Sequence, residues 1–430
     1  MDLRDQLARL GLQKGTTGFQ QTPRREAWEI HRLIEGEIVH TSRGSFFLAE
    51  KRYPLDHRHG LSHLEEVLGV DQSALKELLR DALGTGFDLR QAVFVDTETT
   101  GLAGGTGTYA FLVGLGFFEG DYFRVLQFFM RDYHEEPALL HHLRETFQDT
   151  PALVTFNGRT FDVPLLHTRC ITARLEPIWT GIPHLDLLPP SRRLWRTRLR
   201  SCSLSSLEQN VLGVQRTSED VPGWQIPAMY FRYVQTGDAR EMERVLYHNA
   251  QDILSMVTLS HLLCKTLTGD PAANCLDAFS LARWLEERGD WEKAGALYHA
   301  ALAGPLPPEE RRQTLWRLSL LLKRQGQYEE ARPLWESLVT DRILGLAALE
   351  ELAKSEEWHA GDLEQASRWT EQGLEWARQE LRGSRLCQAE ADLQHRLQRL
   401  RRKAVSGQQS AIGTRSGRWG RAGLQGERGS

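Results

Sequence analysis

The pattern of apolar and polar positions changes near residue 270. Before that point, short runs rich in β-branched and aromatic residues stand between turn-forming stretches, which predicts strands. The runs are residues 37–41 and 45–53, flanking Ser42-Arg43-Gly44 in a hairpin-like arrangement, then 92–95, 109–118, 122–130 and 152–156. One or two short helices are predicted within 61–83, another helix over 138–147 and a long one over 239–267. Three strands, a helix and a further strand in succession predict an α/β sheet. Residues 91–268 are assigned to this domain and residues 29–90 to a small N-terminal extension. Residues 1–28 are polar without a sustained period, so a flexible leader is expected.

After Thr268-Gly269-Asp270-Pro271 the chain reads as helices alone. The phrases G-D-W-E-K-A, G-Q-Y-E-E-A and G-D-L-E-Q-A begin at Gly289, Gly326 and Gly361, spaced by 37 and 35 residues. Each follows an apolar helical segment (281–287, 315–323 and 346–354) and opens another, with Ala294, Ala331 and Ala366 at the close-packing position. A supersecondary unit recurring at this period predicts stacked helix pairs over residues 272–403, resembling tetratricopeptide repeats. The groove of such a stack suits a peptide or protein partner; packing on the first domain is the other use open to it. Residues 388–403 read as a polar capping helix. Residues 404–430, rich in Gly, Ser and Arg, are expected to be a disordered tail able to add nonspecific nucleic-acid affinity.

With 430 residues, 40% of them hydrophobic, the chain can bury the cores of two or three domains. The net charge of −4 shows no global basic excess, so nucleic-acid binding would need a local patch. The five cysteines, Cys170, Cys202, Cys264, Cys275 and Cys387, form no C-x-x-C pair. Odd and widely spaced, they argue against a disulfide framework and a zinc site and point to a reducing cytoplasm. The longest apolar run, 109–118, is too short for a bilayer, and residues 1–15 lack the apolar core of a signal peptide; no membrane or targeting segment is expected.

The candidate chemistry centres on residues 91–101, Q-A-V-F-V-D-T-E-T-T-G. Asp96 and Glu98 alternate with Thr97 at the end of a buried strand, so the two acids share one face about 7 Å apart while Thr97 points away. Two converging carboxylates suit Mg²⁺ or Mn²⁺; solvating the strand end is the plainer use. An EF-hand is excluded, because counting from Asp96 puts Gly107 where a bidentate Glu is required. The strand at 152–156 runs into N-G-R-T-F-D, which places Asn157 on a turn and Asp162 at a helix start, as a cap or as a third acid. Asp186, in H-L-D-L-L, reads as structural. Arg192, Arg193, Arg196, Arg198 and Arg200, interleaved with Leu194, Trp195 and Leu199, form a basic stretch fit for a nucleic-acid backbone or for pairing with surface acids. On the long helix, His248 and Asp252 are four apart and share a face.

In this order, D-T-E-T-T-G, N-G-R-T-F-D and H-N-A-Q-D resemble the three motifs of the DEDD superfamily, the ribonuclease-H-like 3′-to-5′ exonucleases. The G-G-T-G-T loop, H-L-D-L-L and S-C-S-L-S-S-L-E are similar to the bacterial YprB-type members, and the likeness covers about residues 35–265. It implies a ribonuclease-H-like mixed sheet with flanking helices, followed here by the all-α repeats. It further implies two Mg²⁺ or Mn²⁺ ions held by Asp96, Glu98, Asp162 and Asp252, with His248 as general base. Asn157 would contact the substrate backbone, and Thr99, Thr100 and Gly101 the terminal nucleotide. His248 and Asp252 have three residues between them where the histidine branch of the superfamily usually has four, and Tyr247 stands at that alternative spacing. The activity implied is metal-dependent hydrolysis of single-stranded DNA or RNA from its 3′ end. The competing expectation is an adaptor whose weakly active or inactive nuclease domain binds nucleic acid while the repeats recruit a protein.

Overall fold

The structure is a computed structural model that describes residues 28–79, 87–101, 107–268 and 274–416, with side chains up to residue 405. It divides into two compact units, Met1–Asp270 and Pro271–Ser430. The leader read at 1–28, apart from Trp28, and most of the G-G-T-G-T loop lie outside the described residues.

The first unit is built on a seven-stranded sheet. Its strands are β1 (Gly36–Thr41), β2 (Gly44–Pro54), β3 (Val93–Thr99), β4 (Ala110–Glu119), β5 (Tyr122–Phe129), β6 (Leu153–Thr155) and β7 (His184–Asp186). The order is β1-β2-β5-β4-β3-β6-β7, antiparallel from β1 to β3 and parallel from β3 to β7. This is the mixed sheet with flanking helices of a ribonuclease-H-like fold. The hairpin read as part of an N-terminal extension is continuous with that sheet, since β2 pairs with β5 from Phe47↔Phe129 to Pro54↔Tyr122. Between 58 and 69, where short helices were expected to begin, the chain forms a two-residue hairpin and a 3₁₀ turn; one helix, Gln72–Leu78, follows.

The helices of eight or more residues that accompany the sheet, among the described residues, are α1 (Glu136–Phe147), α2 (Asp162–Thr172), α3 (Leu188–Trp195), α4 (Ile226–Thr236) and α5 (Arg240–Leu267). Phe46, Phe47, Phe111, Phe128 and Phe129 are fully enclosed in the core between sheet and helices. The helix α5 lies close on β4 because Val113-Gly114-Leu115-Gly116 presents two glycines to it. A Cβ on Gly114 would lie 2.1 Å from Asn249 Oδ1, and one on Gly116 2.4 Å from Ile253 Cγ2. Both separations are below any real van der Waals distance, so the missing side chains set how near the helix comes to the strand.

The second unit is helical throughout its described part: α6 (Cys275–Arg288), α7 (Trp291–Ala303), α8 (Pro308–Arg324), α9 (Tyr328–Glu336), α10 (Gly345–Ser355), α11 (Leu363–Glu380) and α12 (Gly383–Ser416). Gly289, Gly326 and Gly361 stand between helices at φ of 85°, 79° and 73°, the left-handed conformation that ends a helix at least cost on glycine. Ala294, Ala331 and Ala366 are completely buried on the helices that follow. The final helix is longer than the capping helix read at 388–403. It continues to Ser416, so residues 404–416 are helical where a disordered tail was expected.

Candidate active site

β3 is the strand about which the sheet changes from antiparallel to parallel, and it carries both acids and runs on to Thr99. Regular pleating therefore holds Asp96 and Glu98 on one face, with a register shift between Glu98 and Thr99. The α5 helix brings His248 and Asp252 to that face. His248 Nε2 lies 4.0 Å from Glu98 Oε1 and 3.7 Å from Asp252 Oδ2. Asp162, at the start of α2 and buried, accepts a 2.5 Å hydrogen bond from Thr97 Oγ1. Thr97, read as turned away from the chemistry, thus orients one of its acids.

One oxygen of Asp96 is fixed by a chain across three elements. Gln127 Nε2 on β5 donates to Asn249 Oδ1 on α5 at 2.8 Å, and Asn249 Nδ2 donates to Asp96 Oδ2 at 2.8 Å. A second group of polar side chains adjoins Asp252 and His248: Glu208, Arg216 and Asp220. None of these residues, nor Asn249, Gln127 or Thr97, stands out as a site residue in the sequence. Asn249 sits inside H-N-A-Q-D and Glu208 closes S-C-S-L-S-S-L-E, so two of them lie within the motifs that carry the resemblance. Arg216 and Asp220 carry no local signal.

The electrostatics is that of crowded like charges. Burial, then repulsion from Asp252 and Asp162, pushes Asp96 well above the usual carboxylate range. Burial and repulsion from Asp96, Asp252 and Asp162 do the same to Glu98. Asp162 is pushed up by burial to about 6, against the hydrogen bond from Thr97. Burial opposes charge on His248, but its hydrogen bond to Asp220 and the field of Asp252 prevail and raise its pKa.

Among the described residues no three carboxylate, imidazole or thiol groups converge tightly enough to form a ready-made metal-binding group. Arg216, Asn249 and Thr97 hold oxygens of Asp252, Asp96 and Asp162 respectively. The donor set nevertheless fits a hard divalent cation, because it is all carboxylate oxygen and its raised proton affinities measure a negative charge that a cation would relieve.

Asp96 and Asp252 open onto a cavity of about 800 Å³ also lined by Asn157, Arg192, Arg196 and Arg200. Arg192 on α3 and Arg196 and Arg200 in the turn and bend that follow it all line the cavity, while Arg193 and Arg198 lie outside the lining, Arg198 donating to Asn210 O at 3.4 Å. The basic stretch is thus divided between cavity wall and surroundings. Asn157, at φ 69°, holds the turn after β6; its N–H and that of Arg159 donate to Asp186 at 2.8 and 3.2 Å, so Asp186 secures this loop. Thr100 exchanges hydrogen bonds with Tyr109, and Thr99 Oγ1 donates to Gly101 O at 2.9 Å, which shapes the segment directly after the acids.

Residues 93–264, from β3 to near the end of α5, match the RNase_H_2 model, described as RNase_H superfamily. Strands β3 to β7, the helices beside them and the acid cavity accordingly make up a domain of that superfamily, one of nucleases. Over 403 residues the chain is 34% identical to the "Uncharacterized protein YprB" of Bacillus subtilis (strain 168), spanning 90% of this chain and 92% of that protein. The chain belongs to the YprB family.

Proposed function

We propose that this protein is a metal-dependent nuclease that hydrolyses phosphodiester bonds of single-stranded nucleic acid, acting as a 3′-to-5′ exonuclease. The observation that carries this reading is the gathering of Asp96, Glu98, Asp162, Asp252 and His248 beside a cavity whose wall holds Arg192, Arg196 and Arg200. The four acids are the candidate ligands of two Mg²⁺ or Mn²⁺ ions. Bound ions would supply Lewis-acid stabilisation of the charge that develops on the phosphate oxygens. His248 takes the proton of the attacking water through Nε2, the ring nitrogen that faces Glu98 and Asp252. The three arginines neutralise and orient neighbouring phosphates, which a planar guanidinium does in two-point contacts. Asn157 contacts the substrate backbone, and the Thr99–Gly101 segment receives the terminal nucleotide. The helix pairs of the second unit are read as tetratricopeptide-like repeats that bind a protein partner.

The test is cleavage of 5′-labelled single-stranded DNA and RNA by the full chain, with Mg²⁺ or Mn²⁺ against EDTA. A ladder shortening from the 3′ end, absent with Asp252→Ala and Glu98→Ala, is expected. Binding without metal-dependent products by a folded protein would replace the enzyme with the adaptor.

A further inference from the structure

Arg216 is a guanidinium built into the acid site, with its side chain 11% exposed. Its Nε and Nη2 donate side by side to Glu208 Oε2 and Oε1 at 2.7 and 2.6 Å. Glu208, 1% exposed, accepts in addition from Ser255 Oγ at 2.5 Å, and Ser255 Oγ meets His59 Nε2 at 2.7 Å. A two-point clamp on a buried carboxylate that is itself anchored fixes the plane of the guanidinium. From that plane Nη2 reaches Asp252 Oδ1 and Nη1 reaches Asp220 Oδ1, the latter at 3.2 Å.

His248 Nδ1 lies 2.7 Å from Asp220 Oδ1 and 2.9 Å from Arg216 Nη1. A guanidinium nitrogen only donates and a carboxylate oxygen only accepts, so Nδ1 can serve one of them but not both. Were Nδ1 bare, it would face Asp220 Oδ1 lone pair to lone pair across the shorter of the two distances. With a proton on Nδ1 that approach becomes a hydrogen bond, and Arg216 Nη1 still donates to Asp220. The neutral ring then turns a bare Nε2 toward Glu98 and Asp252.

We infer that Asp220 is a positioning residue that sets the ring and tautomer of His248 for proton removal, and that Arg216, clamped by Glu208, holds Asp220 and Asp252 in register with it. The assembly places His248 from the 208–220 segment, independently of the three-residue gap between His248 and Asp252 on the helix. The role in proton removal rests on the nuclease reading; the geometry does not.

The experiment therefore has an arm that needs no turnover. Full-length protein carrying ¹⁵N-histidine is examined by long-range ¹H–¹⁵N NMR at alkaline pH, with the His248 signals assigned by their disappearance in His248→Gln. A proton on Nδ1 in the wild type, absent or shared with Nε2 in Asp220→Asn, is expected. A wild-type ring protonated on Nε2 overturns the proposal. In the kinetic arm, Asp220→Asn is expected to lower kcat by roughly 10²–10⁴-fold, the usual worth of a general base. KM and calorimetric Mn²⁺ affinity stay unchanged, and Asp220→Glu recovers part of the rate. Arg216→Lys, which keeps the charge and removes the fork, is expected to lower kcat as well. Wild-type kcat in Asp220→Asn, or Mn²⁺ binding that falls in step with kcat, overturns the positioning role. An Nδ1 proton in a wild type without turnover supports the positioning and rejects the nuclease reading instead.

Discussion

At the scale of single residues the site is held in a costly state. Asp96, Glu98 and Asp162 have folded-state pKa values raised above those of an unfolded chain, so the folded metal-free site binds protons more tightly than the unfolded one. Their favourable contribution is complete below an unfolded pKa of about 4 and is lost as pH rises, for Asp162 through about 6. Asp96→Asn, which removes one of the repelling charges, is thus expected to raise the melting temperature in EDTA at neutral pH. The gain should read as an upward shift of the unfolding transition. Thermal scans against pH check this: the difference between variant and wild type should grow from about pH 4 to about pH 7 and shrink when Mn²⁺ is added. Equal melting temperatures across that range would mean the acids do not strain the fold. The acids themselves were legible in the sequence because each sits in a short motif at a strand end, a helix start or one helix face. Glu208, Arg216 and Asp220 were not, because Arg216 and Asp220 gain their meaning by meeting Asp252 and His248 through the fold, across 28 to 36 residues of chain, and Glu208 joins them through Arg216.

At the scale of elements, the site depends on how closely α5 sits against β4. Gly114→Ala would drive a methyl group into Asn249 Oδ1 and within 2.7 Å of Ile253 Cδ1. The expected cost is about 1–3 kcal/mol of stability, as for overpacked cores, with Asn249 displaced from Asp96. Chemical denaturation reads the first effect, and a fall in kcat beyond the decrease in folded protein reads the second. An unchanged midpoint with full activity would show that the helix has slack against the strand. Strands, the long helix and the helix pairs were legible from periodicity and from local devices such as Gly289 with Ala294. The attachment of the first hairpin to β5 was not, because strand pairing at long range leaves no mark in either segment. The length of α12 was missed because a helix rich in polar residues resembles a solvated tail in composition.

At the scale of the molecule, a chain with net charge −4 approaches a polyanion through a local field. On the proposed function the cavity arginines supply it, so binding of a single strand by the full protein is expected to weaken linearly in log–log plots against salt. Replacing Arg192, Arg196 and Arg200 by alanine should flatten the slope by roughly 0.7 for each phosphate that is no longer neutralised. The corresponding changes at Arg193 and Arg198 should leave the slope near its original value, and equal effects from both sets would argue against the cavity as the strand's path. The second unit adds helix pairs whose small buried residues and left-handed glycines make them stack, while every residue of the acid site comes from the first unit.

The most direct test is turnover of a single-stranded substrate by the full chain, wild type against Asp96→Asn, with Mn²⁺ and with EDTA. Metal-dependent release of nucleotides from the 3′ end by the wild type is expected, and none from a variant that is at least as stable. Turnover that survives in EDTA or in folded Asp96→Asn would contradict the assignment of the acid cluster as the catalytic centre.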